Sequence, residues 1–276
     1  MQKIGFLGPP GTFSQQAALI YTRNNPSELI SFPTIAEALI AVQQRQLDAA
    51  VVPMENSLEG SVNVTLDLLA WEVDLAITAE LILPISHNLL ITPGAKWREV
   101  KQVFTHPQAA GQCRKFLARE LPGAEIHLTY STAEGAQLAK AAGSFTAAIA
   151  PHQAADIFEL EAARQDIQDS SDNYTRFIVA GAGETSPSGS DKTSIVFSTK
   201  HRPGSLYRVL DIFNIWDINM NRIESRPARG KLGEYIFFVD LDGHAQEPEL
   251  ADALTMVRRK TTFFKFLGSY RRGNGA

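Results

Sequence analysis

The chain has 276 residues, a formal net charge of −4 and one cysteine. This excludes an intrachain disulfide framework and a cysteine-based zinc cluster, and it argues against a general binder of nucleic acid or other polyanions. The length suggests two domains at ~150 residues each, and 44% hydrophobic with 20% charged residues suits a globular chain with a sizeable buried core.

No apolar run approaches the ~18 residues of a membrane span. The N-terminus enters Ile4-Gly5-Phe6-Leu7 directly, without the basic start and apolar core of a signal peptide. The expected location is the cytoplasm, with no membrane contact. Ile4 to Leu7 reads as a short buried strand, Gly8-Pro9-Pro10-Gly11 turns the chain, and Thr12 or Ser14 caps a helix to about residue 23. A glycine turn before a helix suits an anion, yet the lysine of a Walker loop and the glycines of a dinucleotide fingerprint are missing. Thr34 caps a helix over residues 35–45. Residues 49–53 form a buried strand that ends in Met54-Glu55-Asn56-Ser57. Carboxylate, amide and hydroxyl gather there, just past a strand's carboxyl end, where open α/β sheets bind ligands. Equally, Asn56 and Ser57 turn the chain and cap a helix over 62–71.

Residues 75–92 are β-rich, interrupted at Pro84 and by Ser86-His87-Asn88, whose polar side chains need partners if buried. His87 reads as a satisfied core histidine. Residues 103–104 form a strand, Thr105 caps the next helix with Pro107 in its first turn, and that helix carries Gln112 and Cys113 to residue 119. Cys113, among alanine and phenylalanine, reads as a packed thiol. A strand over 126–130, a helix over 133–142, a strand over 146–150 and a short helix from Pro151 follow. A polar loop then runs into Asp172-Asn173-Tyr174-Thr175-Arg176-Phe177. Its hydroxyl and guanidinium stand where a loop meets a buried strand, a rigid place for chemistry. The alternation argues for α/β architecture with mainly parallel sheets, and the polar corners converge if two lobes face across a cleft. Residues 183–192 are a linker, and from 193 to 271 the order is βαββαβ, a ferredoxin-like domain.

With these motifs in family order, the chain resembles prephenate dehydratase with a C-terminal regulatory ACT domain over essentially its whole length. The resemblance rests on Gly8-Pro9-Pro10-Gly11-Thr12-Phe13-Ser14, Pro53-Met54-Glu55-Asn56-Ser57, Ser86-His87-Asn88-Leu89, Thr105-His106-Pro107-Gln108-Ala109 with Gln112-Cys113, and Asn173-Tyr174-Thr175-Arg176-Phe177. In the second domain it rests on Gly204-Ser205-Leu206-Tyr207 and Glu224-Ser225-Arg226-Pro227. It implies a two-lobed catalytic domain like a type II periplasmic binding protein over residues 1–182, with the second lobe at roughly 78–165, followed by the ACT domain.

The implied reaction is loss of carbon dioxide and hydroxide from prephenate to give phenylpyruvate, without cofactor or metal. Thr175 is implied nearest the leaving hydroxyl, with Glu55, His106 and water as candidate proton sources. Glu55, Asn56, Ser57, Ser86, Thr105, Gln112, Arg176 and Phe177 are implied around the substrate. Arg176 either pairs with a substrate carboxylate or anchors the loop internally, the second being favoured. L-phenylalanine is implied as an allosteric ligand at Gly204, Ser205, Leu206, Asn219, Ile223, Glu224 and Ser225, with Glu224-Ser225 meeting its ammonium group and Leu206 and Ile223 walling its ring. A homodimer through the ACT domains is expected, a homotetramer being the alternative, and no chorismate mutase activity. Two other functions share these features: an arogenate dehydratase of the same fold, and a non-catalytic amino-acid sensor.

Overall fold

The computed structural model describes residues 1–229 and 233–273. Strand β1 (Gln2–Leu7) leads into α1 (Phe13–Thr22), whose first turn is capped by the Thr12 hydroxyl accepting from the Gln15 N–H. β2 (Ser27–Phe32) returns parallel to β1. Thr34 caps α2 (Ile35–Gln43) in the same manner as Thr12, accepting from the Glu37 N–H. β3 (Ala49–Asn56), the short β4 (Gly60–Ser61), α3 (Asn63–Trp71) and β5 (Ala76–Pro84) complete the first pass. The sequence reading lacks β2. Ser27-Glu28-Leu29-Ile30-Ser31-Phe32 lies at the sheet's edge, only half-buried, and carries no sustained apolar run.

The chain then crosses to a second sheet. β6 (Asn88–Ile91), β7 (Gln102–Thr105), α4 (Pro107–Gln112), α5 (Arg114–Glu120), β8 (Glu125–Leu128), α6 (Thr132–Ala142), β9 (Thr146–Ala150), α7 (His152–Phe158) and β10 (Glu161–Arg164) build it in the order β10-β6-β9-β7-β8. β11 (Tyr174–Gly181) crosses back and inserts antiparallel between β3 and β5, so the first sheet runs β2-β1-β3-β11-β5. Two differences from expectation follow. The second lobe begins after Pro84, since β5 belongs wholly to the first sheet, and not near residue 78. The sheets are mixed, because β11 in one and β6 in the other run against their neighbours.

Residues 191–271 carry β12 (Asp191–Ser198), α8 (Ser205–Ile215), β13 (Met220–Pro227), β14 (Tyr235–Asp242), α9 (Pro248–Lys260) and β15 (Phe263–Arg271), with sheet order β13-β14-β12-β15. This is the expected βαββαβ domain, although β12 starts two residues inside the expected linker. Strand alternation divides its apolar residues between two faces. Ile195, Phe197, Val239 and Leu241 pack under α8 and α9. Val196, Ile236, Phe238, Leu267 and Tyr270 share a core with Leu75, Ile77 and Ile178 of the first domain. The two domains are therefore fused through a continuous hydrophobic layer. Among the described residues no helix is long and apolar enough to cross a membrane.

Close approach of β15 to β5 depends on Gly268, which has φ +136°, and a Cβ there would collide with the Ile77 backbone. Gly268→Ala therefore adds both left-handed strain and an overlap that no side chain can relieve. Its expected cost is ~1–3 kcal/mol, measured by urea unfolding, with faster proteolysis across residues 183–190. Unchanged stability would mean that the domains do not pack as described.

Candidate active site

A cleft of about 590 Å³ separates the two lobes, within the ~300–1,000 Å³ usual for small-molecule sites. The first lobe contributes Thr12, Phe13 and Ser14 at the start of α1, with Asn56 and Thr175. The second contributes His106, Gln108, Gln112, and Ser131 and Thr132 at the start of α6. His87 lies between them, and Tyr130, 95% exposed, stands at the rim.

A β-bulge brings Asn56 and Thr175 together. Along β11, one step from Phe177 to Arg176 is matched on β3 by two, from Pro53 to Glu55. Plain alternation would send Asn56 to the face of Val52 and Met54, away from the cleft. The extra residue re-aims it, so that Asn56 pairs with Thr175 on the front and Glu55 with Arg176 on the back. Proline at 53 is the one sequence sign of this irregularity.

The hydrogen bonds at the front have a defined direction. The backbone N–H groups of Leu58 and Glu59 donate to Asn56 Oδ1 at 3.0 and 3.1 Å. Asn56 Nδ2 must then face the Thr175 hydroxyl at 2.9 Å and Asn173 Oδ1 at 2.8 Å. Asn173 Nδ2 in turn donates to Gln112 Oε1 at 2.9 Å, and the same oxygen lies 2.8 Å from His87 Nε2. That nitrogen must carry a proton. Burial holds the His87 pKa below its ordinary value despite the bond to Gln112, so the ring is neutral with Nδ1 unprotonated. Two donors remain: the Thr175 O–H and the Gln112 NH₂ have no protein acceptor among the described residues, and both residues line the cleft.

Of the residues expected around the substrate, Asn56, Gln112 and Thr175 meet in the cleft. The others lie elsewhere. Ser57 donates to the Asp172 carbonyl and accepts from the Tyr174 N–H, tying the turn after β3 to β11. Ser86 is bonded to Asp166. Thr105 is fully buried and donates to the Ile149 carbonyl at 2.8 Å, and the α4 cap is instead His106. Phe177 is in the core beneath α1. Cys113 is buried, its thiol pushed up to about 12 by burial and then by Asp169, so it is not a nucleophile. Sequence reasoning missed Asn173, set His87 aside, read the start of α1 only as a turn suited to an anion, and gave no weight to the start of α6.

Arg176 settles between domains. Its guanidinium contacts Glu80 at 2.5 Å, Asp240 at 2.5 Å and the Tyr270 hydroxyl at 2.7 Å, with Glu55 at 3.7 Å. Lys192 meets Glu80 from the second domain at 2.8 Å. Glu55 also faces Arg222 at 3.3 Å, and Arg222 pairs with Glu224, which bonds Ser61. Burial alone would depress the Arg176 pKa, but Tyr270, Asp240 and Glu80 raise it. Burial alone would raise the Asp240 pKa, but Arg176 and Ser194 hold it below its ordinary value. Arg176 therefore belongs to an interdomain ion cluster and not to the cleft.

In the second domain, Ser205 and Leu206 line a pocket of about 170 Å³ with Tyr235 and Phe237. Gly204 caps α8 at φ +74°. Phe237 pairs across strands with Ser225 on edge strand β13, and Ile223, two residues away on the same face, is 44% exposed. Glu224 differs from expectation, because alternation along β13 turns it, with Arg222 and Arg226, onto the first domain. Asn219 lies at the other end of β13 and bonds Asp242 at 3.1 Å.

A family model described as prephenate dehydratase matches residues 4–185, and one described as ACT domain matches residues 193–255. The prephenate dehydratase of Amycolatopsis methanolica is 39% identical over 278 residues, covering 100% of this chain and 90% of its own. The crystal structure of a prephenate dehydratase from Arthrobacter aurescens in complex with L-Phe superposes with a TM-score of 0.88 at 37% identity, covering 98% of this chain and 90% of that one. The structure of GqqA, described as a quorum-quenching acylase, also superposes with a TM-score of 0.88, at 29% identity over 99% and 98% of the two chains.

The ion cluster has a pH signature. A carboxylate whose folded pKa is depressed adds stability above its unfolded value, ~3.9 for aspartate, and loses it as pH falls through the folded value. The stability gap between the wild type and Asp240→Asn is expected to be full at pH 7 and to shrink steadily below about pH 4, as read by urea unfolding at pH 7, 4 and 3. A gap independent of pH would mean that Asp240 is not ionised beside Arg176.

Proposed function

This chain belongs to the prephenate dehydratase family and carries an ACT domain, and from that premise we propose how its cleft performs the reaction. In prephenate, the bond from the ring to its carboxylate breaks and the electron pair moves through the ring. Hydroxide departs from the opposite carbon, and one added proton makes it water. The products are phenylpyruvate, carbon dioxide and water. Aromatisation supplies the driving force, so the protein has to orient the substrate and assist the leaving oxygen.

The observation that carries this reading is the direction of the hydrogen bonds. Asn56 donates to Thr175 Oγ1, which leaves the Thr175 hydrogen to donate to the departing hydroxyl. Gln112, with its oxygen doubly occupied, offers only NH₂ to an acceptor on the substrate. The starts of α1 and α6 face each other across the cleft. Their first N–H groups suit the two carboxylates, the task that Arg176, held by Glu80 and Asp240, does not take. Glu55 faces away from the cleft, which leaves His106 or water as the proton source. An acylase that works through a histidine-activated hydroxyl is not favoured, because among the described residues no cleft hydroxyl is hydrogen-bonded to a histidine.

Regulation forms the second part of the reading. L-phenylalanine occupies the pocket at Gly204, Ser205 and Leu206, bounded by Ile223 and Ser225. The L-Phe complex of the Arthrobacter aurescens relative supports L-phenylalanine as the ligand. An edge strand favours pairing with a second copy. Antiparallel pairing of two β13 edges would bring the Asn219 end of one copy beside the pocket of the other, so the site is read as lying between copies of a homodimer, in the cytoplasm.

Thr175→Val keeps the shape and removes the hydroxyl. Turnover of prephenate is expected to fall by about 10²–10⁴-fold with folding retained. A loss under about threefold at unchanged substrate affinity would remove Thr175 from the mechanism. Running the same assay on arogenate separates the two dehydratase activities. For regulation, Ile223→Glu places a charge on an exposed position and is expected to weaken phenylalanine binding by at least about tenfold, the ~1.4 kcal/mol of a lost apolar contact, in calorimetry on the full chain. Unchanged binding would move the ligand site elsewhere.

A further inference from the structure

We infer that the ACT domain is part of the active site's support, with Arg176 and Glu55 as positioning residues that set where Thr175 and Asn56 stand. β3 and β11 carry two consecutive cross-strand pairs. Thr175 and Asn56 form the first and line the cleft. Arg176 and Glu55 form the second, on the opposite face. Each member of the rear pair is held by a charge from the ACT domain: Arg176 by Asp240, with the Tyr270 hydroxyl beside it, and Glu55 by Arg222. Front and rear residues on each strand share a planar peptide unit, so a displacement at the rear moves the front. Reacting groups tolerate only ~0.5 Å of misplacement, and an error of ~1 Å costs about 10²-fold in rate.

The same geometry supplies a route for regulation, and this half rests on the reading of phenylalanine at the ACT pocket. β13 has two faces. Ser225 pairs with Phe237 of the pocket lining and Ile223 lies on the same face, while on the other face Arg222 holds Glu55, and Arg226 holds Asp67 at 3.0 Å. An occupant of the pocket therefore bears on the strand whose reverse side grips the rear of the active site. Among the described residues Arg226 reaches α3 only, and it touches neither Thr175, Asn56, Arg176 nor Glu55, which makes it a control for docking alone.

The test compares four full-chain variants: Tyr270→Phe, Arg222→Gln, Arg222→Lys and Arg226→Gln. Melting temperature, kcat and KM for prephenate, and the inhibition ratio at saturating phenylalanine are measured for each. Tyr270→Phe and Arg222→Gln are expected to lower kcat per folded molecule by about tenfold, a fraction of the ~10² cost of a 1 Å error, with KM nearly unchanged. Arg222→Lys is expected to recover most of that loss, and Arg226→Gln to lose melting temperature but not kcat. In Arg222→Gln the inhibition ratio is expected to fall to about a third of its wild-type value, a partial loss of a coupling that is typically ~5–150-fold. If kcat in Tyr270→Phe and Arg222→Gln matches Arg226→Gln, the ACT domain only docks and the inference is wrong. If the wild type does not respond to phenylalanine, the transmission half is overturned together with the regulatory reading, and the kcat comparison still decides the support half.

Discussion

A guanidinium with 9% exposure, held between carboxylates of two domains, organises this molecule. Burying Arg176 without partners would be prohibitively costly, and removing a single partner of such a cluster typically costs ~3–5 kcal/mol. Glu80, Asp240 and Tyr270 come from three strands in two sheets, and all must be in place at once. The ion cluster thereby ties the relative position of the domains to a single side chain, while the apolar layer of Ile77, Phe238 and Leu267 supplies area without direction. Hydrophobic burial is non-directional. The charges select one docking geometry from the many that such a layer would tolerate.

The bulge at Pro53 to Glu55 is the second constraint. It separates two tasks that the same pair of strands performs, presenting neutral hydrogen-bonding groups to the cleft and ionised groups to the neighbouring domain. Charge is thus kept out of the immediate surroundings of Thr175, where it would compete for a substrate that carries two carboxylates. The amides at the front owe their orientation to two backbone N–H groups at Leu58 and Glu59, groups that rotation of a side chain cannot reverse. Directionality there is built into the turn itself.

Much of this was legible in the sequence, and the rest fails for identifiable reasons. Alternating strands and helices, the βαββαβ order and the polar corners at Asn56, Gln112 and Thr175 follow from periodicity and motif order. Ser57, Ser86 and Thr105 carry the same chemistry in the same motifs, yet their hydroxyls satisfy nearby backbone and side-chain groups. Composition does not distinguish a hydroxyl that binds a ligand from one that closes a turn. Glu224 shows the limit of strand reasoning: alternation establishes that it opposes Ile223 and Ser225, but which face meets the first domain is decided by packing that no local pattern encodes. β2 is invisible because an edge strand needs little hydrophobicity. His87 reads as a core residue from its apolar neighbours and is one, being 3% exposed, yet it also orients Gln112.

The Arg176 cluster also has a consequence in time. Tyr270 lies 94 residues after Arg176 along the chain, and a ribosome adding ~5–20 residues per second needs roughly 5–20 s to span them. During that interval the catalytic strand is already made, while Arg176 still lacks Tyr270, and for the first 64 of those residues Asp240 as well. A nascent chain therefore passes through a stage in which its first domain has every residue of the cleft but not the contacts that hold the rear of it. On the support role proposed for the ACT domain, full turnover is reached only when the last strand is made, so full activity and the domain proposed to restrain it come in the same step of synthesis.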